Sequence, residues 1–97
     1  MDKLHHIAIQ VSDIKQAVDW YCGKFNVTVT YQDESWAMLQ FENIELAIVI
    51  PGQHPPHIAI EDKNAEKYGE LTPHRDGTAS IYINDPFGNS IEILKNK

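Results

Sequence analysis

The string His-Ile-Ala-Ile occurs twice in this 97-residue chain, at His6–Ile9 and again at His57–Ile60, 51 residues later. A second echo follows in step. Phe41-Glu-Asn-Ile-Glu45-Leu46 is matched by Phe87-Gly-Asn-Ser-Ile-Glu92-Ile93. An internal repeat constrains a fold more than any local propensity, because each copy must adopt the same supersecondary unit. Here each copy opens on a strand headed by His and closes on a strand carrying Glu. Two imidazoles and two carboxylates therefore stand at matching positions, a donor set suited to a divalent metal.

Strand and helix periods give the two copies the same order. Leu4–Val11 alternates as a strand. Asp13 follows as an N-cap, with Gln16 in capping-box register, and Ile14, Ala17, Val18, Tyr21 and Phe25 form one apolar helical stripe. Three β-type runs come next, at Val27–Tyr31, Trp36–Phe41 and Ile44–Ile50, the last two separated only by Glu42-Asn43. Pro51-Gly-Gln-His-Pro-Pro56 reads as a linker. The second copy runs from His57–Ile60 through a short helix at Asp62–Tyr68 and a weak strand at Glu70–His74. An Asp76-Gly77 turn leads into Thr78–Asn84, and Asp85-Pro-Phe-Gly-Asn89 turns into Ser90–Leu94. The expected organisation is one domain: a β-α-β-β-β module over residues 1–50, a linker at 51–56, and a second module over 57–97.

Alternation then sorts the side chains. Ile7, Ile9 and Val11 oppose His6, Ala8 and Gln10; Ile58 and Ile60 oppose His57, Ala59 and Glu61. On the closing strands, Ile44, Leu46, Ile48 and Ile50 oppose Glu45, Ala47 and Val49, while Ile91 and Ile93 oppose Ser90, Glu92 and Leu94. One face is aliphatic and suited to packing a helix. The other carries His or Glu beside small residues, with Trp36, Met38, Gln40 and Tyr82 on the same side. A half-buried antiparallel sheet ordinarily turns such a face to water. The alanines and aromatics here favour a cavity wall that contacts a ligand instead.

Composition excludes several classes. The longest apolar run, Leu46–Ile50, falls far short of the roughly 20 residues of a transmembrane helix. Met1-Asp-Lys-Leu-His does not read as a signal peptide. A net charge of −6 argues against nucleic acid and anionic membranes as partners. The single cysteine, Cys22, excludes an internal disulfide and suits a reducing cytoplasm; it reads as structural or partly buried. So short a chain buries a small fraction of its surface, which favours a homodimer, and Trp20, beside the helical stripe, suits a module or dimer contact. His5, His54, His74 and Arg75 read as surface residues, although His74 and Arg75 could reach an anionic substrate. There is no Gly-rich phosphate loop, no Cys-based zinc motif and no Ser-His-Asp grouping in recognisable context.

With these residues in place, the chain resembles the vicinal oxygen chelate superfamily, which includes glyoxalase I, the bleomycin-resistance proteins and dihydroxybiphenyl dioxygenase. The resemblance rests on His6-Ile-Ala-Ile-Gln-Val-Ser-Asp13, Asp19-Trp-Tyr21, His57-Ile-Ala-Ile60 and, most specifically, Asp85-Pro-Phe-Gly-Asn89-Ser-Ile-Glu92. It implies an α+β fold of paired β-α-β-β-β modules forming a cupped, mixed, mainly antiparallel sheet. It also implies His6, Glu45, His57 and Glu92 as metal ligands, with Glu45 resting on the short Asn-Ile-Glu-Leu echo alone. The chain departs from the family in its clipped second module, which puts the substrate-specific insertions of larger members in doubt. The chemistry expected is divalent-metal Lewis-acid catalysis by Zn, Ni, Co, Mn or Fe on a small oxygenated molecule, in the isomerase, epimerase or lyase class. Glu92 and Glu45 are the proton carriers, and Trp36, Met38, Gln40 and Tyr82 the substrate contacts. The competing reading is a metal-free module that sequesters an antibiotic or other ligand, as bleomycin-resistance proteins do.

Overall fold

The computed structural model describes residues 1–75 and 77–96. Its strands are β1 (Lys3–Gln10), β2 (Thr28–Gln32), β3 (Trp36–Gln40), β4 (Glu45–Val49), β5 (His57–Glu61), β6 (Thr72–Pro73), β7 (Ala79–Asn84) and β8 (Ser90–Lys95). One α-helix, α1 (Ile14–Lys24), and one 3₁₀ turn (Ala65–Tyr68) complete the elements. The mixed sheet is ordered β2-β3-β4-β1 in the first half of the chain and β5-β8-β7-β6 in the second. Its pairings are mixed: β1–β4 and β5–β8 are parallel, while β2–β3, β3–β4, β6–β7 and β7–β8 are antiparallel. The α+β architecture is the one the repeat implies. In each half the first strand pairs in parallel with the last, and the strand before the last is antiparallel to it.

By contact the chain forms two units, His6–Pro56 and a second comprising Met1–His5 with the chain from His57 onward. The first has the fuller core. Ile14 and Val18 of α1 are buried with Ala37, Leu39 and Ile48, and Ile9, Val11, Ala17, Tyr21 and Leu46 pack around them. These are the aliphatic positions of β1, β3 and β4. Leu39 and Ile48 are fully buried, and each such side chain contributes about 1.5–3 kcal/mol of transfer free energy. The helix starts where the sequence says it should: Asp13 accepts a hydrogen bond from the Gln16 backbone N–H at 2.9 Å. It stops earlier than its stripe, because Phe25 leaves the helix in an extended conformation and is half exposed. Cys22 is exposed rather than buried, since it lies off the Ile14–Val18–Tyr21 face.

In the second unit the expected helix at Asp62–Tyr68 shrinks to the 3₁₀ turn. Gly69 ends it at φ +142°, and a Cβ there would lie 2.7 Å from Ile81 Cδ1. The positive φ is what favours glycine here, since the Ile81 methyl is a side-chain end that can shift. The expected strand at Glu70–His74 reduces to the two residues of β6, and Asp76 of the expected Asp76-Gly77 turn lies outside the described residues. Among the described residues no helix is long and apolar enough to cross a membrane.

Candidate metal and substrate site

In the first unit, register places the polar-face residues in rows. His6 pairs across the parallel ladder with Glu45, and Ala8 with Ala47. On the other side of β4, Gln40 stands opposite Glu45, Met38 opposite Ala47 and Trp36 opposite Val49. His6 is buried, and Glu45, Gln40, Met38 and Trp36 are half-buried. All five share one face of the three strands, with alanines between the larger groups.

A register shift between Val29 and Tyr31 on β2 adds Tyr31, which pairs with Met38. Its ring stacks on Trp36 with centroids 4.3 Å apart. The Tyr31 hydroxyl donates a hydrogen bond to Asp33. Asp33 Oδ1 also accepts from the backbone N–H groups of Ser35 at 2.7 Å and Trp36 at 2.9 Å. The Tyr31 bond, then these N–H donors, hold the Asp33 carboxyl well below the usual carboxylate range. The Tyr31–Trp36 wall is thus fixed at its base by one charged turn residue. Strict alternation could not have placed Tyr31, because the bulge changes the register within the strand.

The second unit holds a buried polar pair. His57, at the start of β5, is 7% exposed and Glu92 on β8 is 6% exposed. His57 Nε2 lies 3.2 Å from Glu92 Oε1. A carboxylate so deeply removed from water requires a charged or hydrogen-bonding partner, and this imidazole is one. Ala59 is the β5 residue in register with Glu92, and Tyr82 is its antiparallel neighbour on β7. The Tyr82 ring meets His57 edge-on, centroids 5.2 Å apart. Burial, with a smaller contribution from the Glu92 charge, pushes the Tyr82 phenol well above its usual range and keeps it protonated.

The turn before β8 explains how Glu92 is delivered. Asp85 Oδ1 accepts from the backbone N–H groups of Phe87 at 2.8 Å and Asn89 at 2.9 Å, and Oδ2 from the Asn89 amide at 2.8 Å. Gly88 takes φ +87°, a conformation that other residues adopt only with strain. These bonds, the Asn89 amide first, hold the Asp85 carboxyl below its usual range. The turn starts β8 at Ser90, so that Glu92 and Tyr82 fall in register.

His74 does not behave as the surface residue its position suggested. Its Nε2 lies 2.8 Å from the buried Ser80 Oγ and 3.9 Å from Glu92 Oε2. Ser80 shares the strand parity of Tyr82, which is the signal that could have placed it on this face. Among the described residues, every buried side-chain nitrogen and oxygen has a hydrogen-bond partner.

The sequence profile of the Glyoxalase/Bleomycin resistance protein/Dioxygenase superfamily matches residues 3–69, more than half of the chain. The chain belongs to this superfamily. Glu92 and the Asp85–Asn89 turn lie beyond the matched stretch, so their assignment rests on the repeat and on the geometry above. Solved structures share the superfamily fold along the whole chain. A hypothetical protein of Bacillus halodurans C-125 aligns at TM-score 0.78 and 19% identity, covering 99% of this chain and 95% of that one. A glyoxalase/bleomycin resistance protein/dioxygenase superfamily member of Vibrio splendidus 12B01 aligns at 0.72 and 8% identity, covering 99% and 100%. Methylmalonyl-CoA epimerase of Mycobacterium tuberculosis aligns at 0.76 and 15% identity, covering 97% and 87%. At these identities the likeness is one of fold. No curated protein matches the chain in sequence.

Proposed function

We propose that this superfamily member is a metal-dependent enzyme of the isomerase, epimerase or lyase class acting on a small oxygenated molecule, with His6, His57 and Glu92 as ligands of one divalent ion. The observation that carries the reading is the buried His57–Glu92 pair, whose donor atoms approach to 3.2 Å. His57 and Glu92 are both buried in the second unit, and the internal repeat gives His6, also buried, the matching opening-strand position of the first. The donor set fits: two neutral imidazoles and a carboxylate suit borderline ions such as Zn, Ni, Co, Mn or Fe. A purely sequestering module has no need of a buried carboxylate flanked by imidazoles, which costs desolvation energy.

When bound, the ion supplies Lewis acidity toward a carbonyl or paired oxygens of the substrate. The chain's own residues do the remaining work. Glu45, in register with His6 yet outside the group of three, is the carboxylate that moves a proton. Trp36, Met38 and Gln40 line the substrate side of β3, Tyr31 extends that wall, and Tyr82 offers a neutral phenol as a hydrogen-bond donor. An epimerase is among the proteins of the same fold, and epimerisation moves a proton beside a carbonyl, which is the task assigned to Glu45.

The reading includes a homodimer in a reducing compartment. It is supported by the short chain, by the lone exposed Cys22, and by Trp20 and Phe25, which are 53% and 48% exposed. Light scattering returns twice the chain mass if the dimer forms, and a single chain mass at all concentrations rejects it.

Calorimetric titration of metal-stripped protein with Co, Ni, Zn and Mn tests the central assignment. The expected result is one ion per chain, with binding abolished in His57→Ala and Glu92→Ala and an added rise in melting temperature when metal is present. Absence of binding for all four ions, or unchanged binding in His57→Ala, rejects it.

A further inference from the structure

We propose that His74 is a positioning residue for Glu92, holding one carboxylate oxygen so that the other is presented to His57 and the ion. The inference rests on Glu92 being a ligand, as assigned above, and concerns how its geometry is set. Two imidazoles bracket one carboxylate: His57 Nε2 lies 3.2 Å from Oε1, and His74 Nε2 lies 3.9 Å from Oε2. The second distance is too long for a full hydrogen bond. It is short enough for an N–H dipole to favour one orientation of the carboxylate, which is buried while the imidazole is one-third exposed. Nε2 of His74 faces two oxygens, Ser80 Oγ and Glu92 Oε2, so the tautomer carrying its proton there satisfies both.

His74 is itself held. Its backbone N–H donates to the Thr78 carbonyl at 2.8 Å, and its own carbonyl accepts from the Gly77 N–H at 3.2 Å. Ser80, 2% exposed and fixed on the β7–β8 ladder opposite Leu94, anchors the ring from beneath. Thr72 and Pro73 pair with Ser80 and Ala79, so the same short hairpin supplies both the imidazole and its anchor. A glutamate with three side-chain torsions would otherwise lose more freedom on gripping an ion. With Oε2 on the His74 side, Glu92 would present Oε1 alone to an ion. Groups that orient a ligand in this way tune affinity without touching the ion.

Three variants test the idea: His74→Ala, His74→Gln and Ser80→Ala. Co binding to His74→Ala should weaken by about 10–100-fold, the range for loss of a group that orients a ligand. His74→Gln, which keeps an N–H donor, should recover most of the affinity, and Ser80→Ala should show a smaller loss. The visible spectrum of the Co-loaded protein should change in His74→Ala as Glu92 becomes free to offer both oxygens. Affinity within about twofold of the parent protein, with an unchanged spectrum, overturns the proposal. A crystal structure of metal-free His74→Ala supplies a second reading. The Glu92 carboxylate should turn away from its contact with His57, and an unmoved carboxylate overturns the proposal. If the parent protein binds no ion, the metal-enzyme assignment falls, while the metal-free structure still decides whether His74 orients Glu92.

Discussion

The two halves of this molecule share one topology and differ in how they use it. In the first, α1 covers the aliphatic face of β1, β3 and β4, and Ile14, Val18, Ala37, Leu39 and Ile48 form a conventional core. In the second, a 3₁₀ turn replaces the helix, and the buried residues include His57, Ser80 and Glu92 beside Ala59, Ala65, Ile93 and Leu94. The same pairing scheme thus carries apolar packing in one copy and a polar cluster in the other. Once a repeat supplies the scaffold twice, one copy can hold most of the stability while the other accommodates costly buried polar groups. His6 and Glu45 occupy in the first copy the positions that His57 and Glu92 hold in the second.

Cavity-forming substitutions break this comparison most severely. Leu39→Ala should cost about 2–5 kcal/mol in urea or thermal unfolding, because Leu39 is fully buried at the centre of the first core. The loss should be the same with and without added metal. If the stability of Leu39→Ala depended strongly on the ion, the division between packing and site would be wrong.

A smaller effect is expected at the turn that begins β8. Gly88→Ala forces a side chain into φ +87°, and such strain costs on the order of 1–3 kcal/mol. No atom lies within 4 Å of the added Cβ, so the penalty comes from the backbone alone. Because the turn sets the register of Glu92, this variant should also lose metal affinity, which Leu39→Ala should not once it is folded. Equal affinity in Gly88→Ala and the parent would separate the turn from the site.

The smallest effect concerns the alkaline limb of stability. The Tyr82 phenol is raised in the folded protein by burial, so its contribution is complete below the ordinary tyrosine range near pH 10 and is lost as pH rises above it. Tyr82→Phe should flatten the fall in stability above about pH 10 and leave the neutral value almost unchanged. An alkaline limb identical to that of the parent would place Tyr82 in a more solvated setting than the structure gives it.

Much of this was legible in the sequence because the informative residues obey simple periods. The repeated His-Ile-Ala-Ile puts His6 and His57 on matched strands, and alternation alone puts Glu92 and Tyr82 on one face. The Asp85–Asn89 turn and the Asp13 cap announce themselves by residue type. What sequence reasoning missed depends on geometry with no period. Tyr31 reaches the Trp36 face through a bulge, and His74, next to the β6–β7 pairing, lies against Ser80. Both placements depend on contacts between residues whose spacing carries no signature. The short helix of the second half ends at Tyr68 as expected but begins only at Ala65, as a 3₁₀ turn.

The most direct test of the account is a crystal structure of Co-soaked protein with an anomalous map collected at the cobalt edge. The account predicts one strong peak with His6, His57 and Glu92 as ligands, at roughly the 2.0–2.2 Å expected for nitrogen and oxygen donors. A peak held by other residues, or no peak with His57 and Glu92 still paired, would contradict it.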